Sequence, residues 1–142
     1  ALLEELASWP EPLPVWICSL FRTPSISAAC QLADRFPTLQ FVFLHGGGPL
    51  LLTLADALRP RRNAFVDLSR TLVFYARSSV SLDIRWLLDK FDQRVMFGSD
   101  FPEHGIGESL AELRALGEGI ADEKLANVLG DNLSRLLRLD HG

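Results

Sequence analysis

Arg94-Val95-Met96-Phe97-Gly98-Ser99-Asp100-Phe101-Pro102 (RVMFGSDFP) is the stretch on which the reading of this chain turns. Val95, Met96 and Phe97 have the composition of a buried strand. They stop at Gly98 and give way at once to Ser99 and a carboxylate, Asp100, before Phe101-Pro102 turns the chain. An ionised carboxylate is costly to bury without a partner. Asp100 therefore either caps the turn that follows or serves something bound at the end of the strand.

Working outward, the same alternation of strand and helix recurs. Residues 15–21 (VWICSLF), 39–44 (LQFVFL) and 63–69 (NAFVDLS) read as three strands upstream of the one at 94–100. Their near-continuous apolar runs are those of strands covered on both faces, as in a parallel sheet. The run at 63–69 is weaker, because Asp67 and Ser69 interrupt it. Between strands, apolar residues repeat at helical spacing: Ile26, Ala29, Cys30 and Ala33, then Leu51, Leu54, Ala55 and Leu58, then Ile84, Leu87, Leu88 and Phe91. Thr23-Pro24-Ser25 reads as a turn and cap, and Pro37 and Pro60 as helix stops. A short helix over 2–8 comes first, and a variable loop follows the third strand. After the fourth strand the pattern predicts helices around 107–116, around 122–129 and from 131, with Asp122 and Asp131 as N-caps. Strand and helix in alternation imply right-handed βαβ units on a parallel sheet, in a single unit without an internal linker.

The 142 residues are enough for one ordinary core, and 48% hydrophobic with 23% charged residues is the balance of a folded globular chain. A net charge of −4 and a pI of about 5.3 give no electrostatic support for a nucleic-acid partner. Arg59, Arg61 and Arg62, the only basic cluster, read as a solvated loop. Cys18 and Cys30 lack CxxC spacing and read as buried free thiols, which suits a reducing, cytoplasmic compartment. No apolar run approaches the roughly 20 residues that span a bilayer, so no membrane partner is expected. The first residues lack the features of a signal peptide, and the missing initiator methionine suggests that Ala1 is not where the gene product begins.

Ligands of parallel α/β sheets bind at the carboxyl ends of the strands. The polar residues predicted there are Cys18 and Ser19, His45, Asp67 and Ser69, and Ser99 and Asp100. His45 and Asp100 both end apolar runs beside glycine, and together they could be metal ligands, an acid–base pair, or both. Set against this, His45 could be a core histidine that orients a tight loop. Asp67 and Ser69 read as loop hydrogen-bonders, His104 as rim or substrate contact, and His141 as part of a frayed end. Gly46-Gly47-Gly48-Pro49 before a helix could cradle a phosphate. But Leu51 stands where a dinucleotide fingerprint needs its third glycine, and neither a GK[ST] nor a G-x-S-x-G motif occurs.

Taken in order, FPTLQFVFLHGGG, NAFVDLS, RVMFGSDFP and EKLANVLGDNLSRLL make the chain resemble the carboxyl-terminal half of the amidohydrolase-related metal-dependent hydrolases, the branch typified by aminocarboxymuconate-semialdehyde decarboxylase. The resemblance covers residues 13–138. It implies a (β/α)8 TIM barrel, of which these strands are the fifth to eighth, with two extra carboxyl-terminal helices. It further implies a divalent metal, zinc or manganese, at the strand ends. By the resemblance Asp100 is catalytic and binds or adjoins the metal, and His45 is the catalytic histidine that polarises substrate or water. Cys18 stands where the family places a metal-binding histidine, as a thiolate ligand or as a structural cysteine. The family's H-x-H pair on the first strand has no counterpart here. The expected activity is hydrolysis or decarboxylation of a small carboxylated or cyclic substrate. The alternatives are an incomplete half-barrel serving as an association module, or a phosphate-binding module at Gly46–Gly48. A homo-oligomer, or a missing amino-terminal half, is expected to complete the barrel.

Overall fold

The computed structural model describes residues 2–18 and 23–139. It runs α1 (Leu2–Ala7), β1 (Val15–Cys18), α2 (Thr23–Arg35), β2 (Phe41–Leu44), α3 (Leu51–Leu58), β3 (Ala64–Asp67), α4 (Thr71–Phe74), α5 (Val80–Lys90), β4 (Val95–Met96), α6 (Ile106–Leu116), α7 (Asp122–Ala126) and α8 (Asn132–Leu136). The strands form one parallel sheet in the order β1-β2-β3-β4. Each helical crossover thus returns the chain beside the strand it left, which is how one wall of a (β/α)8 barrel is made.

Register decides which side chains share a face. Ile17, Phe43, Val66 and Val95 lie in line across the four strands, with Phe41 and Ala64 on the same side. These residues meet Ala29 and Ala33 of α2, Leu54 and Leu58 of α3, and Ile84, Leu87 and Leu88 of α5 to make the hydrophobic core. The alternate residues Trp16, Val42 and Phe65, and beyond them Cys18, Leu44, Asp67 and Met96, face the other way. There Trp16 is 44% exposed and Cys18 is exposed too, whereas Val42 and Met96 are buried outside the core cluster. Sequence predicts β1 to be covered on both faces. Instead its residues alternate between half-buried and exposed, because the core reaches only one side of this edge strand.

At the amino ends of the strands, polar side chains hold backbone. The two N–H groups of Asn63 Nδ2 are shared among the carbonyls of Ala33, Phe36 and Leu39, at 3.0–3.2 Å. Arg94 donates to the carbonyls of Arg61 and Leu58, each at 2.5 Å, with its guanidinium over the Phe91 ring. Asn132 Nδ2 donates to the carbonyls of Asp92 and Val95. A π-helical turn, Asn127–Asp131, joins α7 to α8: the Asn132 N–H bonds Asn127 O, and Val128 O accepts from the N–H of Phe97 just past β4.

Several expectations change. The strands end earlier than the apolar runs do; β4 covers only Val95 and Met96, and the part of the first run at 19–21 lies outside the described residues. Residues 71–74 form the short α4 where a loop was expected. Neither Asp122 nor Asp131 makes a capping hydrogen bond: Asp122 is already the first residue of α7, whose N-cap is Ala121, and Asp131 sits in helical backbone because the helix runs through the π turn without a fresh start. Cys18 and Cys30 are both free, but neither is buried. The basic cluster is not simply solvated: Arg61 grips Asp34 through two bonds of 2.8 and 2.7 Å, and Arg59 lies over Trp86.

Candidate active site at the carboxyl ends of the strands

β2 ends at Leu44, and His45 follows in left-handed backbone (φ 62°), with Gly46, Gly47 and Gly48 also at positive φ. A non-glycine residue in this region is strained by about 1 kcal/mol, so its surroundings must hold it. The Thr71 hydroxyl donates to the His45 carbonyl at 2.6 Å. On the ring, Nδ1 lies 3.2 Å from the Ser69 hydroxyl and 3.3 Å from the Ser69 carbonyl oxygen. Ser69 follows β3 by two residues and is tied to the last residue of that strand, Asp67. Its N–H donates to Asp67 Oδ1 at 2.9 Å, and its hydroxyl donates to the same oxygen.

Asp67 and Ser69 are buried, at 5% and 7% exposure. Burial pushes the Asp67 carboxyl above the usual carboxylate range, while the bonds from Ser69, the charge of His45 and the His45 backbone pull it back. Backbone of the next strand closes the arrangement. A Cβ on Gly98 would lie 2.5 Å from Asp67 Oδ2 and 2.9 Å from Ser69 Cβ, so only glycine lets the chain pass so close. Strands β2, β3 and β4 thus each bring one piece to a single cluster. Sequence placed Asp67 and Ser69 at the right end of the sheet as loop hydrogen-bonders. The missing part was that Ser69 bonds the His45 ring with Asp67 behind it, and the D-x-S spacing at a strand end level with His45 was the available signal.

The other expected residues are spread along this edge. Asp100 lies two residues past Gly98, half-buried and at φ 70°, with its carbonyl accepting from the N–H of Glu103 and of His104. Its backbone carbonyl therefore anchors the turn that follows, where the capping reading expects the carboxylate. His104 is half-buried in that turn. Ser19 and His141 lie outside the described residues. The three glycines are buried, and an added Cβ would meet Leu51, Thr71 and Leu68 at Gly46 and Leu54 at Gly47. A groove of about 940 Å³ opens at the opposite, amino-terminal end of the sheet, beside Arg62, Phe65, Asp92, Arg94 and Arg135.

Cys18 and Asp100, the two residues expected at a metal, belong to opposite edges of the sheet. Cys18 ends β1 at one edge, whereas Asp100 lies four residues past β4 at the other. Among the described residues no group of three or more His, Cys, Asp or Glu is placed to hold a metal ion. A catalytic zinc site needs about three protein ligands. These residues by themselves do not fit one.

Parallel strands joined by helices, with the polar cluster at their carboxyl ends, define part of a (β/α)8 barrel and place its working edge. Residues 12–139 match the amidohydrolase family profile, and the chain belongs to that family. Among solved structures, an uncharacterised TIM-barrel protein from Bordetella bronchiseptica superposes with a TM-score of 0.74 at 18% identity, over 96% of this chain and 48% of its own. An amidohydrolase from Burkholderia multivorans with bound zinc gives 0.73 at 18% identity, over 97% of this chain and 57% of its own. A dihydroorotase from Campylobacter jejuni gives 0.71 at 20% identity, over 98% and 51%. The chain spans about half the length of these structures. No curated protein sequence matches it. Among the described residues no helix is long and apolar enough to cross a membrane.

Proposed function

We propose that this chain is a single unit, residues 1–142, that supplies the carboxyl-terminal half of the barrel of a metal-dependent amidohydrolase-type enzyme. Its strands stand in for the fifth to eighth of eight, and the enzyme hydrolyses or decarboxylates a small carboxylated or cyclic substrate. The observation that carries this reading is His45, held in strained backbone at the carboxyl end of β2 with a buried carboxylate behind it. A histidine so placed can move a proton or donate to a developing oxyanion. Asp100, at the same edge, is the second proton acceptor. The metal's ligands have to be completed from outside the described residues, by an amino-terminal half or by another copy. Trp16, 44% exposed on this face of the edge strand, with Phe65 half-buried on the same face, is apolar surface such a partner would cover.

The test is metal analysis and turnover with zinc or manganese, using lactones, cyclic amides and aromatic carboxylic acids. The chain alone is expected to hold well under one metal ion per copy. The completed barrel is expected to hold metal and to lose turnover in His45→Ala and Asp100→Asn while keeping its circular dichroism. One tightly held zinc on the isolated chain, or activity unchanged by either substitution, would sink the assignment. A second reading, a catalytically incomplete half-barrel used for association, is favoured by the lack of a ligand group among the described residues. Self-association without turnover in any completed barrel would select it.

A further inference from the structure

We infer that Ser69, with Asp67 behind it, fixes the tautomer of His45: the proton sits on Nδ1, and Nε2 is the basic nitrogen. This deepens the proposed role of His45 and rests on that reading for its meaning, though not for its measurement. The argument is a count of protons. A hydroxyl has one proton to give and lone pairs to accept with. Ser69 gives its proton to Asp67 Oδ1, beside the bond from its own N–H. What the hydroxyl then offers His45 Nδ1, at 3.2 Å, is a lone pair. The Ser69 carbonyl, 3.3 Å from the same nitrogen, can only accept. Two acceptors converge on one ring nitrogen, and that nitrogen must carry hydrogen. Were the hydroxyl to turn and donate to Nδ1, Asp67 would lose a donor and the Ser69 carbonyl would face a lone pair.

The cluster is built to keep that orientation. Asp67 and Ser69 are buried, so water does not compete for the hydroxyl. Gly98 runs close enough to the pair that even a methyl there would meet Asp67 Oδ2 and Ser69 Cβ. The bond from Thr71 to the His45 carbonyl stops the residue from swinging away. Asp67 and Ser69 are thus positioning residues: they act through the imidazole, and the carboxylate stays two bonds removed from it. Orientation by a neighbouring acceptor is how proteins commonly choose between the two ring nitrogens.

The experiment is nitrogen NMR of the whole chain with labelled histidine at about pH 8, where an imidazole is neutral. Three histidines must be told apart, and His104→Gln and His141→Gln identify the His45 signals by elimination. The unmodified protein is expected to show His45 Nδ1 in the range of a protonated ring nitrogen and Nε2 in that of an unprotonated one. Asp67→Ala frees the hydroxyl to donate and should raise the Nε2–H form to a visible fraction. Asp67→Asn keeps an acceptor oxygen and Ser69→Thr keeps the hydroxyl, so both should retain the native pattern. A native His45 protonated at Nε2, or a mixture like that of an exposed histidine, overturns the inference even if every variant fails to fold. An Asp67→Ala pattern identical to the native one, in a folded protein, overturns the part assigned to Asp67. Turnover does not enter these readings. A wrong tautomer leaves the His45→Ala activity result standing, and a failed activity assignment leaves the nitrogen shifts standing.

Discussion

The two ends of the sheet use polar side chains in opposite ways. At the amino ends, Asn63, Arg94 and Asn132 spend their donors on backbone carbonyls, seven bonds in all, and the chain between them is ordinary helix and strand. At the carboxyl ends, His45, Asp67 and Ser69 bond one another, and both His45 and Asp100 sit in left-handed backbone. One end adds side-chain donors to backbone carbonyls, several of which also accept a backbone N–H. The other accumulates strain and a buried carboxylate whose proton is held more tightly than usual. In barrels of this kind stability collects at the amino-terminal face and chemistry at the carboxyl-terminal face. The half-barrel shows that division without a ligand to mark it.

Substitutions should respect the division. Asn63→Ala removes the side-chain donor shared by the Ala33, Phe36 and Leu39 carbonyls, of which Phe36 keeps the Leu39 N–H, and is expected to cost about 3 kcal/mol in chemical denaturation. A loss below about 1 kcal/mol would deny that end its stabilising role. Gly98→Ala is expected to cost about 2 kcal/mol, because the added methyl would overlap Asp67 Oδ2. It should also displace the His45 nitrogen signals, which an effect confined to packing elsewhere would not do. Asp67→Asn should go the other way. The folded carboxyl pKa is raised, so its contribution is fully present below the unfolded value and lost as pH rises through the folded one. At neutral pH the carboxylate therefore weakens the fold, and the amide should raise Tm by a few degrees there with little change in acid. A lower Tm at neutral pH would mean that Asp67 serves stability after all. The smallest effect belongs to Asp89, held down at about 2 by hydrogen bonds from Lys124 and then Lys90. Its contribution is present above the unfolded value and fades as pH falls toward about 2. Because the group is exposed, Asp89→Asn should leave Tm nearly unchanged at neutral pH.

Sequence was informative where a side chain's surroundings follow from its own neighbours. Ile84, Leu87 and Leu88 face the core because helical spacing puts them on one side, and Leu39, Phe41 and Phe43 are buried because their run is apolar. It was less informative where two strands meet. RVMFGSD looked like a strand through Asp100, yet pairing is confined to Val95 and Met96, because past them the chain bends to set Gly98 against Asp67 and Ser69. His45 was identifiable as a candidate from its position, but its bond to Ser69 spans 24 residues and depends on strand register. Cys18 matched a ligand position in the family's pattern. What the pattern could not convey is that this residue ends an exposed edge strand.

The π turn between α7 and α8 has a consequence for how this chain can be edited. In an unbroken α-helix, residues five apart point about 140° away from each other. The wider turn at Asn127–Asp131 cancels that angle, so Asn127 and Asn132 both reach Asp92, one at its carboxylate and one at its carbonyl, and Arg135 binds the amide oxygens of both. The helix behaves as though one residue had been spliced into it, and the spare residue is what lets a single rod offer two asparagines to the same spot. Length itself is therefore information here. Removing one residue from 128–130 would leave every remaining side chain chemically intact and still helical, yet rotate one asparagine out of reach and unfasten the start of β4.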